Sequence, residues 1–501
     1  MRFAPLLAFL LLSPASAATA PSSLSALDAW LAEVPNAAPA LPPAPAASTY
    51  NVRTLGATGD GTTKDTAAFQ KALDTCAVNG GGDVLVPEGT YLIGSIQIGN
   101  KTILRLETGA VLKGSPDIDD YPVMDIRWEG RWQPGHRALI YSSVVDHTGI
   151  VGPGRIEGST AFGGTNGAGG LRNPVILEPI SCTDVRWEGF TVVQGGNWAT
   201  HPTYCTNLLI QSIAVTSNRD GIDVDSCKNV RIDSCNISTG DDSISLKSGR
   251  GMDGARLAKP CENILITNCN LTDRTFACLG IGSETSGGVR NVRIEHCKLT
   301  ATNSDNIYIK TRIGRAGDNV NISGDDLDIL AGNFLRINLV KGGNTSTADD
   351  PVEGLVGYPL GKNLRFSNIR VTCKILVTAT EISALKPLLG LSLHNITGTC
   401  TKGIALANII GADLSDIKVD GYTGPLLGIV NVTGTGLDGA ESIPAPVDPL
   451  PGNAPGARSA PGTRGAPALG LRGTAGFRGA RGTTQAAPTP TASSDSPATT
   501  P

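Results

Sequence analysis

Five segments between residues 180 and 300 share one alternation of apolar and polar positions: Cys182-Thr-Asp-Val-Arg-Trp, Cys205-Thr-Asn-Leu-Leu-Ile, Cys227-Lys-Asn-Val-Arg-Ile, Cys261-Glu-Asn-Ile-Leu-Ile and Val289-Arg-Asn-Val-Arg-Ile. Eight residues after each first position stands Phe190, Ile213, Cys235, Cys269 or Cys297. The period of two predicts short, half-buried strands. The copies begin 23, 22, 34 and 28 residues apart. A unit of this length cannot bury its apolar face alone, so neighbouring copies must stack. Irregular increments suit a solenoid whose coils bulge into loops, and suit propeller blades or helical repeats poorly. The expected fold class is all-β: a right-handed parallel β-helix, continued at Lys362-Asn-Leu-Arg-Phe and Gly411-Ala-Asp-Leu-Ser.

A solenoid needs capped ends. Asp65 to Val78 has helical spacing at Ala68, Phe69, Ala72, Leu73 and Cys76, with Asp65 as N-cap and Gly80 to Gly82 as terminator, and is expected to plug the N-terminal end. The 11 cysteines are an odd number. Most share repeat positions with Val289, Ile213 or Phe190, so they read as small buried side chains stacked between coils rather than as disulfides. Cys373 with Cys400 lies outside that ladder and is the pair most suited to a bridge.

Composition narrows the picture. The chain has 501 residues, 62 glycines and 32 prolines, with only 4% aromatic and 17% charged residues. That profile excludes a collagen, a coiled coil and an ordinary helical enzyme, since glycine weakens helix interiors. Arg2, the apolar run Phe3 to Leu12 and Ala15-Ser-Ala17 read as a signal peptide over 1–17, which implies a secreted or periplasmic protein. Residues 18–48 form an Ala/Pro-rich linker, 49–442 the β-helix domain, and 443–501 a disordered Pro/Gly/Ala/Arg-rich tail. No later stretch is apolar enough to span a bilayer. The net charge is -4, and the five arginines of the tail leave the body more acidic still, so a general polyanion such as nucleic acid is not an expected partner.

Aligned repeats place Asp220 and Asp242 at one offset, 15 residues beyond Cys205 and Cys227, with Asp241 beside the second. Coils stack about 4.8 Å apart. Carboxylates crowded in one column raise at least one pKa, which supplies a protonated acid and an ionised base together, the pair that glycoside hydrolysis requires.

At these residues the sequence resembles glycoside hydrolase family 28, the polygalacturonase-like enzymes with a pectin-lyase-like solenoid. Its Asn-Thr-Asp-Gly motif stands as Asn218-Arg219-Asp220-Gly221 and its Gly-Asp-Asp motif as Gly240-Asp241-Asp242. Further similarity lies at Gly152-Pro-Gly-Arg-Ile-Glu-Gly, Trp198-Ala-Thr-His201-Pro and Gly282-Ser-Glu-Thr-Ser-Gly-Gly. The resemblance implies Asp241 as general acid, with Asp220 and Asp242 activating water for an inverting displacement, and no metal or cofactor. It implies an acidic plant cell-wall polysaccharide of galacturonan type as the partner of a monomer. It also implies a substrate-binding role for Trp198 and His201, and for Lys310.

Two positions depart from the family pattern. The Gly-His-Gly segment falls at Phe276-Ala277-Cys278, without a histidine, and Arg-Ile-Lys stands as Tyr308-Ile309-Lys310. A phenol thus replaces a planar, bidentate cation, and Tyr308 is expected to stand beside Lys310 as a substrate-binding residue.

Strand alternation puts Ile222, Val224, Ile244, Leu246, Ile307 and Ile309 inside, and Asp223, Asp225, Ser245, Lys247, Tyr308 and Lys310 on the outer face. There Lys247 and Lys310 either contact an acidic sugar or neutralise Asp225 and its neighbours. The insert Arg250 to Lys259 is a candidate groove wall, and His136, His147, His296 and His394 fall outside any cluster. Two alternatives stay open: a Ca²⁺-dependent pectate lyase, with Asp220-x-x-Asp223-x-Asp225 offering oxygen ligands, and a non-catalytic carbohydrate-binding β-helix.

Overall fold

The computed structural model describes residues 48–194, 196–343 and 350–447. The expected signal peptide, nearly all of the expected linker and all but the first few residues of the expected tail lie outside them. Strands run from Thr49–Asn51 to Glu441–Ser442 and wind into a right-handed parallel β-helix. The five repeats pair in parallel in the register their alignment predicts. One column, Val185, Leu208, Val230, Ile264, Val292, Ile322, Leu364 and Leu391, passes through eight coils. Each of these side chains is at most 2% exposed, so every coil buries its neighbour's apolar face.

The third position of the repeat is what turns each coil. Asp184, Asn207, Asn229, Asn263, Asn291, Asn321 and Asn363 all adopt φ between 54° and 64°, a left-handed conformation that asparagine and aspartate tolerate better than other side chains. Each asparagine amide donates to the residue one coil earlier, from Asn207 onto Asp184 at 2.9 Å through to Asn363 onto Asn321 at 3.0 Å. The column satisfies polar groups that the corner would otherwise strand. Asn263→Ala removes two of these bonds and a backbone preference together. The expected cost is about 2 kcal/mol, read as a lower denaturant midpoint, with Asn263→Gly milder because glycine accepts the same φ. Equal midpoints for Asn263→Ala and the parent would refute this account.

The capping helix, α1, spans Thr66–Val78 and buries Phe69, Ala72, Leu73 and Cys76. Asp65 holds the N-cap place but its carboxylate does not cap the helix. It accepts from the Thr58 and Gly59 amides at 2.7 and 3.1 Å instead, tying down the preceding turn.

All eleven cysteines are free and buried. In the ladder, backbone amides donate to the next thiol, Cys182 to Cys205 at 3.4 Å and Cys205 to Cys227 at 3.3 Å. The expected Cys373–Cys400 bridge is absent, although the two face each other on adjacent strands. Burial, helped by the neighbouring Cys400, pushes the Cys373 thiol up to about 12, and little thiolate is then available for oxidation.

Candidate active site

A second parallel sheet, Ile222–Asp225, Ile244–Lys247, Ala277–Gly282, Asp305–Lys310 and Asn333–Asn338, forms the floor of a groove of about 1090 Å³. Asp220 precedes the first of these strands, and Asp241 and Asp242 precede the second. The Gly221 amide donates to the Asp242 carbonyl at 2.9 Å, which locks the two corners together. One carboxylate oxygen from each of Asp220, Asp241 and Asp242 lies within 4.8 Å of the others. Gly280 on the next coil makes room for them, because a Cβ there would stand 2.3 Å from an Asp242 oxygen.

Electrostatics differentiate the three. Burial, reinforced by Asp220 and Asp242, raises Asp241 to about 8. Burial and the nearby Asp223 push Asp220 well above the ordinary carboxylate range. Asp242 is clamped instead: Lys310 Nζ lies 2.8 and 2.6 Å from its two oxygens. Burial opposes the charge on Lys310, but Asp242 overrides it and lifts the ammonium above its usual value.

The outer-face residues point away from the coil interior yet are not solvated. Lys247 is 5% exposed, Lys310 7% and Tyr308 9%. Lys247 lies 3.1 Å from Asp223, 3.5 Å from Asp220 and 3.7 Å from Glu284, and its ammonium sits 4.7 Å from the centre of the Trp198 ring. It neutralises these neighbours of Asp225, as one of the two readings expected, while Asp225 itself pairs elsewhere. Asp225 belongs to Arg127, at 2.9 Å.

His201 is also corrected. It is 1% exposed, does not line the groove, and lies 3.3 Å from Glu178 and 3.8 Å from Asp225. Burial opposes its charge, but Asp225 and Glu178 raise its pKa. The imidazole is therefore packed beneath the site, between Glu178 and Asp225, and away from the groove surface. Trp198 does reach the groove rim, but stacked on Trp128, with ring centres 3.8 Å apart and planes 18° apart.

Trp128 comes from an antiparallel hairpin, Val123–Trp128 and Arg131–His136, that the repeat pattern did not signal. The Arg250 to Lys259 insert does not line the groove. It contains a short helix, Gly251–Leu257, and Arg250 beside it holds the hairpin tip through Glu129 at 3.1 Å. The wall expected of the insert is thus supplied by the hairpin, and the insert braces it. His147, expected outside any cluster, lies between Asp146 and Asp184 on another part of the surface.

The ligand set Asp220, Asp223 and Asp225 does not fit a calcium ion. Lys247 lies against the first two carboxylates, while Arg127 occupies the third, so ammonium and guanidinium groups already supply the positive charge.

At Phe276-Ala277-Cys278, Ala277 and Cys278 are buried and Phe276 lies 46% exposed on the groove, its ring centre 5.6 Å from Lys310 Nζ. Arg336 was missed by sequence reasoning. Its signal is the match of Asn333-Phe-Leu-Arg-Ile-Asn to Asp305-Asn-Ile-Tyr-Ile-Lys, which sets Arg336 opposite Tyr308.

Residues 76–329 match the model of the glycosyl hydrolases family 28. A probable polygalacturonase of Vitis vinifera is 34% identical over 281 residues, covering 52% of this chain and 57% of the relative. An exo-poly-alpha-D-galacturonosidase of Dickeya chrysanthemi is 24% identical over 304 residues, half of each protein. The chain thus spans little more than half the length of these curated relatives. Among solved structures, an exopolygalacturonase from Thermotoga maritima superposes with a TM-score of 0.61 at 24% identity, over 82% of this chain and 96% of that one. A family 28 exopolygalacturonase of Yersinia enterocolitica gives 0.63 at 17% identity, over 79% of each. At these identities the superpositions speak for the fold.

Proposed function

The chain belongs to the glycosyl hydrolases of family 28, and on that premise we propose that it is a secreted or periplasmic glycosidase that cleaves galacturonan-type pectic polysaccharide with inversion. The observation that carries the reading is the trio itself: three carboxylates in one groove, one held protonated and one clamped by an ammonium. Asp241, protonated up to about pH 8, donates to the glycosidic oxygen as the bond breaks. Asp220 and Asp242 receive the proton of the attacking water, and the environment that raises Asp220 makes it the stronger acceptor once it is free.

The oxygens are closer together than the ~6.5–9.5 Å separation usual in inverting enzymes, and nearer to the ~5 Å of retaining ones. One feature supports inversion nonetheless: Asp242 has both oxygens on Lys310, which blunts it as a nucleophile.

The test is product analysis on polygalacturonate. New reducing ends are expected at an unchanged rate in EDTA, with the first-formed anomer inverted by NMR. A retained anomer would overturn the displacement. Chelator-sensitive, ultraviolet-absorbing unsaturated products would point to a lyase, and binding without turnover to a non-catalytic module.

A further inference from the structure

The position where a phenol replaces the family's arginine has a guanidinium over it. Tyr308 and Arg336 are register partners on adjacent coils, and the Arg336 guanidinium carbon lies 4.9 Å from the centre of the Tyr308 ring. Both side chains line the groove that holds the aspartate trio. Arg336 is 40% exposed and makes only a loose contact with Asp305, at 3.8 Å. The neighbouring cations are engaged more closely: Lys310 with both oxygens of Asp242, and Lys341 with Glu381 at 2.8 Å. Arg336 therefore has both charge and donors left to offer a ligand. Its planar fork matches a carboxylate through two parallel N–H···O bonds, and stacking on an aromatic face orients that plane without consuming its donors.

We propose that Arg336, seated on the Tyr308 ring, is the specificity-determining residue that reads the carboxylate of a uronate bound on the C-terminal side of the aspartate trio. The arginine missing from one coil is thus supplied by the next. The inference rests on the hydrolase reading of this groove, and it predicts preference for the free acid over its methyl ester. Tyr308 acts as a positioning residue: it holds the guanidinium plane and contributes its ring face, not its hydroxyl.

The experiment compares KM and kcat on polygalacturonate and on highly methyl-esterified pectin. Arg336→Gln is expected to raise KM for polygalacturonate about ten- to hundred-fold, with kcat changed far less and KM on the ester nearly unmoved, so that discrimination collapses. Arg336→Lys should recover only part of it. Tyr308→Phe, which keeps the ring face, should keep the free-acid preference, whereas Tyr308→Ala should lose part of it.

A second arm measures binding of a galacturonate trisaccharide and its methyl ester to Asp241→Asn protein, with and without Arg336→Gln. Unchanged discrimination in Arg336→Gln, in either arm, overturns the proposal while leaving the hydrolase reading intact. Turnover absent in the parent protein counts against the hydrolase reading, and the binding arm still decides on Arg336. Failure of Asp241→Asn protein to bind the free-acid trisaccharide overturns the Arg336 assignment as well.

Discussion

Asp241→Asn is expected to lower kcat on polygalacturonate by about 10³-fold or more, at the upper part of the range for loss of a general acid, without altering the fold. The amide is close in shape to the carboxyl it replaces, but it cannot donate a proton to the leaving oxygen. In the parent protein the same residue sets the alkaline limb of the pH profile. Burial and two neighbouring carboxylates raise it to about 8, so it is protonated below that pH and ionises above it. Activity should therefore fall as pH rises through about 8. The kcat profile of Asp241→Asn should have lost this limb. Residual turnover within about tenfold of the parent would remove Asp241 from the acid role.

Arg127→Met should be the most destabilising single change described here, at about 3–5 kcal/mol. Arg127 and Asp225 are each 1% exposed and lie 2.9 Å apart, and the guanidinium also covers the Tyr204 ring at 5.1 Å. Removing the cation strands a fully buried carboxylate, with Ser226 and the more distant His201 left to answer it among the described residues. The sign of the pH dependence follows from Asp225. Burial opposes its charge, but Arg127 and His201 outweigh that and depress its pKa below the ordinary carboxylate value. Its contribution is therefore present above about pH 4, the unfolded-state value, and is lost as pH falls through the folded-state value. Denaturant unfolding at neutral pH should show the full deficit, and parent and variant should converge in acid. The double variant Arg127→Met/Asp225→Asn should regain part of the loss. A midpoint for Arg127→Met equal to the parent's at neutral pH would contradict the pairing as the source of stability.

Both substitutions act where two kinds of information meet. The coil stack was legible because a solenoid repeats one local rule, so the Cys182, Cys205, Cys227, Cys261 and Val289 frames translate directly into strand register. The convergence of Asp220 and Asp242 followed from the same arithmetic. What escaped was everything inserted between coils. The hairpin carrying Arg127 and Trp128 has no counterpart in the repeat, and it brings the guanidinium that pairs with outward-pointing, buried Asp225. Alternation along a strand tells which way a side chain points, not what lies over it. His201 was misjudged for the same reason, since Glu178 and Asp225 enclose it from two other coils.

The asparagine column also has a direction. Each amide donates one coil back and accepts from one coil ahead, until Asp184, which only accepts: Asn207 donates to one of its oxygens at 2.9 Å, and His147 Nε2 of the preceding coil lies 3.2 Å from the other. The asparagine string ends there against a histidine, and a carboxylate is the residue fitted to that end because it has no proton to place. Coils bearing asparagine can be duplicated or deleted beyond Asp184 without reversing a donor. A coil spliced in ahead of it would have to bring one that points the other way. The molecule is thus free to grow longer or shorter on one side of Asp184 and constrained on the other.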